Sequence, residues 1–252
     1  MKYLPGSSCI AFANKNQFVK LAPTGKARKA LRLERVSEKK VATDTFWSKY
    51  LTPTKYGPGN IYKVTPLGSP YELPPHGDLG ILIELEKRQT WTETKPQFRL
   101  TSLTSTFPNH PGLDTAYTLL RGSPLSSTHG DLHRGNILLF GAPPSIKIID
   151  WGNYRRMFWT KYDPMHFEVT DHLKNTETKK WSDILTQSHK FVSLKNEYNY
   201  TLKNILTYAV CRCELEASQD ISQRRLNTHR KQKYSNILSL VINIFRENND
   251  KL

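Results

Sequence analysis

Asp131, Asn136 and Asp150 are the residues whose types and spacing best support chemistry in this sequence. Asp131 and Asn136 lie in the polar, glycine-containing segment His129-Gly130-Asp131-Leu132-His133-Arg134-Gly135-Asn136, which runs into the apolar Ile137-Leu138-Leu139. Asp150 follows fourteen residues after Asn136, at the end of a second apolar strand, in Ile148-Ile149-Asp150-Trp151-Gly152. Phosphoryl transfer needs few protein groups: one to orient an acceptor hydroxyl and take its proton, and hard oxygen ligands for magnesium beside the nucleotide phosphates. A loop carboxylate such as Asp131 suits the first task, and the oxygens of Asn136 and Asp150 suit the second. The apolar strands on either side supply the rigidity such a constellation requires. His129 and His133 have the i,i+4 spacing of a zinc pair only if the segment is helical. Its glycines make it a loop, and both histidines then read as loop-stabilising residues.

The pattern H-G-D-L-H-x-x-N, followed by an apolar strand and I-D-W, resembles the aminoglycoside phosphotransferase and choline kinase group, kinase-fold enzymes that phosphorylate small molecules. The resemblance implies that Asp131 is the catalytic carboxylate and that Asn136 and Asp150 bind magnesium. Asp150 then corresponds to the Asp of the protein-kinase D-F-G triplet, with Trp151 in place of its Phe. The segment Trp159-Thr160-Lys161-Tyr162-Asp163-Pro164 is similar to the group's Y-D element, where Asp163 reads as structural.

The elements that must position these groups begin with strands and turns. Residues 1–4, 9–13 and 17–22 read as strands, separated by Pro5-Gly6-Ser7-Ser8 and by Asn14-Lys15-Asn16. Pro23-Thr24-Gly25 opens a helix expected over 26–50, which Thr52-Pro53 ends. One or two further strands are expected in 56–67. The segment Phe18-Val19-Lys20-Leu21-Ala22 resembles the third strand of a kinase small lobe, which implies that Lys20 contacts the nucleotide phosphates and pairs with a Glu on the following helix. At 100° per residue, Ala27, Ala30, Leu31 and Val41 define an apolar face with Glu34 near its centre and Glu38 near its edge. An inward carboxylate requires a cation, so Glu34 is favoured over Glu38 as the partner of Lys20. The sequence departs from the kinase pattern in having no G-x-G-x-x-G loop. Backbone contacts from Gly6, Ser7 and Ser8 to a nucleotide are the reduced equivalent, with a plain hairpin turn as the alternative.

The resemblance implies ATP and Mg2+ as cofactors and an α+β, two-lobed protein-kinase-like fold. The N-lobe, residues 1–66, is a small antiparallel sheet with one helix. The C-lobe, residues 67–252, is mainly helical and carries the catalytic and metal-binding loops and the acceptor site. Residues 66–75, rich in Pro and Gly, read as the hinge. Helices are expected at 79–91 and 113–120, and beyond about residue 166 apolar stripes at helical spacing, such as Ile237, Leu240, Val241 and Ile244, read as core.

Composition narrows the function. Three cysteines, Cys9, Cys211 and Cys213, read as buried thiols rather than a disulfide framework. No apolar run approaches the roughly 18 residues of a membrane span, and the start reads as that of a mature cytoplasmic protein. The net charge of +15 favours anionic partners and disfavours a cationic acceptor. The acceptor is then the hydroxyl of a neutral or anionic small molecule, sugar or glycan, including an anionic cell-envelope glycan. Within residues 1–60, twelve Lys or Arg stand against three Asp or Glu. Arg28, Arg32, Arg35 and Lys39 form a stripe opposite the apolar face. The stripe suggests peripheral contact with the inner face of an anionic membrane, a solubilising face being the plainer reading. Two alternatives stand beside the small-molecule kinase. One is a protein kinase or effector-type kinase, against which the Trp after Asp150 and the lack of an A-P-E segment speak. The other is a non-catalytic basic pseudokinase that binds nucleotide or nucleic acid, although no specific nucleic-acid module is present.

Overall fold

In the computed structural model, residues 2–4, 9–13, 17–66, 69–70, 85, 99–140, 145–175, 181, 185 and 200–248 are described. The expected turns at 5–8 and 14–16, residues 67–68 and 71–75 of the expected 66–75 hinge, and all but one residue of the expected 79–91 helix lie outside them. The described residues fall into two compact units. One is drawn from Met1–Arg88 and His129–Tyr154, the other from Gln89–Thr128 and Arg155–Leu252.

Strands β1 (Lys2–Leu4), β2 (Ile10–Ala13) and β3 (Gln17–Leu21) pair antiparallel in succession, with Ala11 opposite Lys20. Helix α1 (Gly25–Val41) follows, then the short strand β4 (Lys55–Tyr56) and β5 (Tyr62–Pro66). The order of this five-stranded sheet is β1-β2-β3-β5-β4, so β5 lies beside β3 and Lys63 faces Lys20 across the ladder. Strand β6 (Ser69–Pro70) belongs to a second sheet.

Thr24 starts α1 as an N-cap, its Oγ1 accepting the Ala27 N–H at 3.1 Å. The helix ends at Val41 instead of continuing to residue 50. Thr43 donates its hydroxyl to the Lys40 carbonyl at 2.9 Å, and Asp44 Oδ1 accepts the Phe46 and Trp47 N–H groups at 2.9 and 2.8 Å. Short polar side chains here offer the backbone partners that a continued helix would have supplied. The chain then resumes as a 3-10 turn, Trp47–Tyr50. The inward face of α1 is Ala27, Leu31, Glu34, Glu38 and Val41, all buried.

Next come α2 (Thr101–Thr106), α3 (Gly112–Leu120) and β7 (Leu125–Thr128), then β8 (Ile137–Phe140) and β9 (Ser145–Ile148). Strand β8 is central in a three-stranded sheet, β6-β8-β9, with Ile137 opposite Ile148. Strand β10 (Arg155–Trp159) pairs with β7, and α4 (Tyr162–Asn175), α5 (Leu202–Ser222) and α6 (Thr228–Glu247) complete the second unit. Its core unites Leu113, Ala116 and Leu119 of α3 with Leu206, Val210 and Cys213 of α5 and Leu238 and Val241 of α6. Glu214, buried in α5, caps the start of α2 from a distance, accepting the Ser102 and Leu103 N–H groups at 2.9 Å. Cys9, Cys211 and Cys213 are buried free thiols. Asp163 is fully buried in the first turn of α4.

Candidate active site

The loop of residues 129–136 and the turn after β9 meet in the first unit because β8 and β9 pair. The register places Ile137 opposite Ile148, and the Ile149 N–H donates to the Asn136 carbonyl at 3.0 Å. One ladder thus holds the residues flanking Asn136 and Asp150 side by side.

His129 is fully buried and ties the two segments together. Its Nδ1 accepts the Asp131 N–H at 3.2 Å, which leaves Nε2 as the protonated nitrogen, and Nε2–H donates to the Ile149 carbonyl at 2.9 Å. The imidazole is therefore a structural strut between the Asp131 backbone and the segment carrying Asp150, packed on Trp151 at 4.6 Å between ring centroids. Gly130 has φ +81, and a Cβ at that position would lie 2.4 Å from the Asn153 carbonyl oxygen, so only glycine fits the approach of the two loops. His133 accepts the Gly135 N–H on Nδ1 at 3.1 Å and caps the 3-10 turn Arg134–Asn136.

Asn136 is buried, and its amide Nδ2 donates to the Asp131 carbonyl at 2.9 Å. The side chain's acceptor, Oδ1, is then the atom suited to a hard cation. Asp150 adopts a left-handed backbone, φ 67 and ψ 51, a conformation that Asp tolerates better than most residues and that recurs at functional sites. The Trp151 indole donates to the Ile148 carbonyl at 3.0 Å, and Tyr154 donates its hydroxyl to Asp44 Oδ2 at 2.8 Å, which pins the turn to the segment that follows α1.

Lys20 joins the sheet to this loop. Its Nζ lies 2.9 Å from Asp150 Oδ1 and 3.4 Å from Glu34 Oε2. Glu34 is the helix carboxylate at the sequence-expected position, and it is buried. Burial by itself draws the Lys20 ammonium down, but Asp150 and Glu34 outweigh it and raise the group above its ordinary value. Desolvation likewise pushes the Asp150 carboxyl up, and the attraction and hydrogen bond of Lys20 overcome it, holding the carboxyl below its usual range. Asp131 adds a like-charge repulsion at Asp150, which marks the two carboxylates as electrostatic neighbours. The Asp150 side chain remains 48% exposed, so it is accessible to an incoming ligand.

Two participants, Lys63 and Thr54, were not expected. Lys63 is 2% exposed, and its Nζ bonds both Glu34 Oε1 and, at 2.7 Å, Glu38 Oε1. Thr54 donates its hydroxyl to Glu38 Oε2 at 2.5 Å. Glu38, placed near the edge of the apolar face by the sequence, is therefore as buried as Glu34 and belongs to the same network. The sequence pattern of β5 gave no signal for Lys63, because polar Lys63 and Thr65 occupy the buried positions while apolar Val64 is only partly buried. Of the remaining expected groups, Gly6, Ser7 and Ser8 lie outside the described residues. Arg155 and Arg156, which lie just past Asp150 in sequence and could add to an anionic-acceptor site, belong to the second unit, where the Arg155 guanidinium donates to Ser218 Oγ at 2.9 Å and Arg156 is exposed.

Asp150 and Asn136, the residues the sequence assigns to a metal, would supply two oxygen donors. Among the described residues no group of three His, Cys, Asp or Glu is arranged to hold a metal. Two protein ligands suit magnesium, which keeps several waters and takes its other ligands from substrate phosphates. They do not suit structural zinc.

No protein-family model and no curated protein matches the sequence. Solved structures do. The choline kinase of Streptococcus pneumoniae is 11% identical, with 95% of this chain and 92% of that one covered and a TM-score of 0.50. An ethanolamine kinase of Plasmodium vivax is 14% identical, with 98% and 83% covered and a TM-score of 0.49. An ADP-bound aminoglycoside phosphotransferase is 12% identical, with 95% and 92% covered and a TM-score of 0.48. With its small antiparallel-sheet N-terminal region and its helical C-terminal region, the chain has the protein-kinase-like fold, in the form found in choline kinase.

Proposed function

We propose that this protein is an ATP-dependent phosphotransferase that phosphorylates a hydroxyl group of a small molecule, sugar or glycan. The observation that carries the reading is Lys20, which bridges the α1 carboxylate Glu34 and the loop carboxylate Asp150. A sheet lysine held between a helix glutamate and a metal-ligand aspartate is the arrangement that kinases use to hold nucleotide phosphates.

In this reading residues 1–66 form the nucleotide-binding lobe and residues 67–252 contribute the catalytic and acceptor side. Lys20 exchanges Asp150 for phosphate oxygens when nucleotide enters, while Glu34, itself anchored by Lys63, keeps the ammonium aimed. Asp150 and the Asn136 amide oxygen would hold magnesium, whose charge offsets that of the phosphates. Asp131 accepts a hydrogen bond from the acceptor hydroxyl, orients its oxygen toward the terminal phosphorus and takes its proton as the new P–O bond forms and the phosphoanhydride bond to the departing ADP breaks. His129 fixes the backbone of Asp131 through its bond to the peptide N–H. The Asp131 carbonyl in turn orients Asn136. The proton acceptor and the metal ligands therefore share one set of supports, which is the preorganisation that transfer demands.

The net charge of +15 supports a neutral or anionic acceptor over a cationic one, an anionic cell-envelope glycan among them. Incubation with labelled ATP, magnesium and a panel of alcohols, amino-alcohols, sugars and phosphorylated glycans tests the reading. Label is expected on an uncharged or anionic hydroxyl compound. Labelling of protein substrates alone would favour the protein-kinase alternative, and nucleotide binding without any turnover would favour the non-catalytic one.

A further inference from the structure

We infer that the outward face of α1, with the adjoining end of β5, is a docking surface for an anionic lipid bilayer. Seven cations of α1 are exposed: Lys26, Arg28, Lys29, Arg32, Arg35, Lys39 and Lys40. The helix has two acidic residues, Glu34 and Glu38, and both point inward, where Lys20 and Lys63 neutralise them. The outward charge is therefore uncompensated within the helix, and among the described residues none of the seven makes an ion pair.

Two further features favour a lipid surface over a nucleic acid. Large apolar side chains are interspersed with the cations: Leu33 at 39% exposure and Val36 at 43% on the helix, and Ile61 at 45% beside it. A phosphate polymer gives such side chains nothing to enter, whereas a bilayer interface accepts apolar groups between its headgroups. Arg32, Arg35, Val36, Lys39 and Asn60 also line an open cleft of about 230 Å³, in which three cationic heads and an amide surround one apolar side chain. Arg35 is held there by Asn60 Oδ1 at 3.4 Å and by the Tyr56 ring, 5.4 Å from its guanidinium. A phosphodiester headgroup fits this chemistry: an anion for the guanidinium groups, with acyl-chain surface beneath it for Val36. The surface does not depend on the kinase reading, and the kinase residues do not contribute to it.

The test is co-sedimentation of the full chain with vesicles of phosphatidylcholine alone and of phosphatidylcholine doped with phosphatidylglycerol, at low and high salt. Wild type is expected on the anionic vesicles at low salt and in the supernatant of the neutral ones. Each cation near an anionic surface changes partitioning by about fivefold, so R28Q/R32Q/R35Q/K39Q should weaken binding by several hundredfold, on the order of 600-fold. A charge-matched variant, K161Q/K203Q/K231Q/R246Q, removes four exposed cations from the second unit and should keep nearly wild-type binding. Val36→Ser should weaken the binding that survives at high salt. Thermal melting of each variant separates loss of docking from loss of fold. Four results would overturn the inference. They are equal binding to neutral vesicles, an unaffected α1 variant, an equal loss in the charge-matched variant, and displacement by soluble glycerophosphate, which would make the cleft a small-anion site. Loss of single-stranded RNA binding in the α1 variant with vesicle binding intact would assign the face to nucleic acid instead.

Discussion

Lys63→Met is the perturbation that most sharply probes how the site is held. The Lys63 ammonium is buried between Glu34 and Glu38, which lie one turn apart on α1 with side chains 7% and 8% exposed. Methionine preserves most of the stem volume and removes only the charge. Glu34 then retains Lys20 at 3.4 Å, while Glu38 retains Thr54 and no cation. Breaking a buried ion pair by deleting one partner costs about 3–5 kcal/mol, because the remaining charge stays desolvated. For a chain of this size each kcal/mol moves the melting temperature by about 2–4 °C, so the variant should melt about 6–20 °C lower. The assay is calorimetric or circular-dichroism melting, with Lys63→Met/Glu38→Gln as the second arm. Deleting the stranded charge should recover a large part of the loss, since Glu34 still has Lys20. A Lys63→Met variant that melts with wild type, or a double variant no more stable than the single one, would refute the claim that Lys63 neutralises both carboxylates.

Two other predictions concern the site. Asp150 is held below its usual pKa chiefly by Lys20, so its contribution to stability is present above the ordinary carboxylate range and is lost as pH falls through the depressed value. The difference in melting temperature between wild type and Lys20→Met should therefore shrink below about pH 4, and a constant difference down to full protonation would contradict the pairing. Asp150→Ala and Asn136→Ala should both weaken magnesium-dependent nucleotide binding, Asp150→Ala more because it also removes a charge. Titration of a fluorescent nucleotide with and without chelator checks this, and unchanged magnesium dependence in both variants would remove the ligand assignment.

Much of the site was legible because its residues are local in sequence. The run His129 to Asn136, the strand after it and Asp150 sit within one hairpin, so spacing alone predicted their juxtaposition. The choice of Glu34 for Lys20 also followed from the α1 wheel, since a carboxylate centred on a buried face requires a cation. The role of Lys63 was not legible. It depends on β5 lying beside β3 and on the register that sets Lys63 opposite Lys20, facts of sheet order that a short strand with polar inward residues does not disclose. The overlong reading of α1 has a different cause. Residues 43–45, Thr-Asp-Thr, follow the apolar-periodic segment without a Gly or Pro to mark a stop, and the stop is made by side-chain hydrogen bonds of Thr43 and Asp44. The tautomer of His129 likewise became readable only when both of its backbone partners were in place.

Asp131 is central to the account, and its isosteric replacement tests that account most directly. Phosphate transfer from labelled ATP to the best acceptor of the panel is measured for wild type and Asp131→Asn, with nucleotide affinity and melting temperature determined on the same preparations. Asparagine keeps the shape and removes the proton acceptor. The prediction is a fall in kcat of about a hundredfold or more, the usual range for a general base, with nucleotide affinity and melting temperature little changed. Near-normal turnover by Asp131→Asn would contradict the assignment of the catalytic carboxylate.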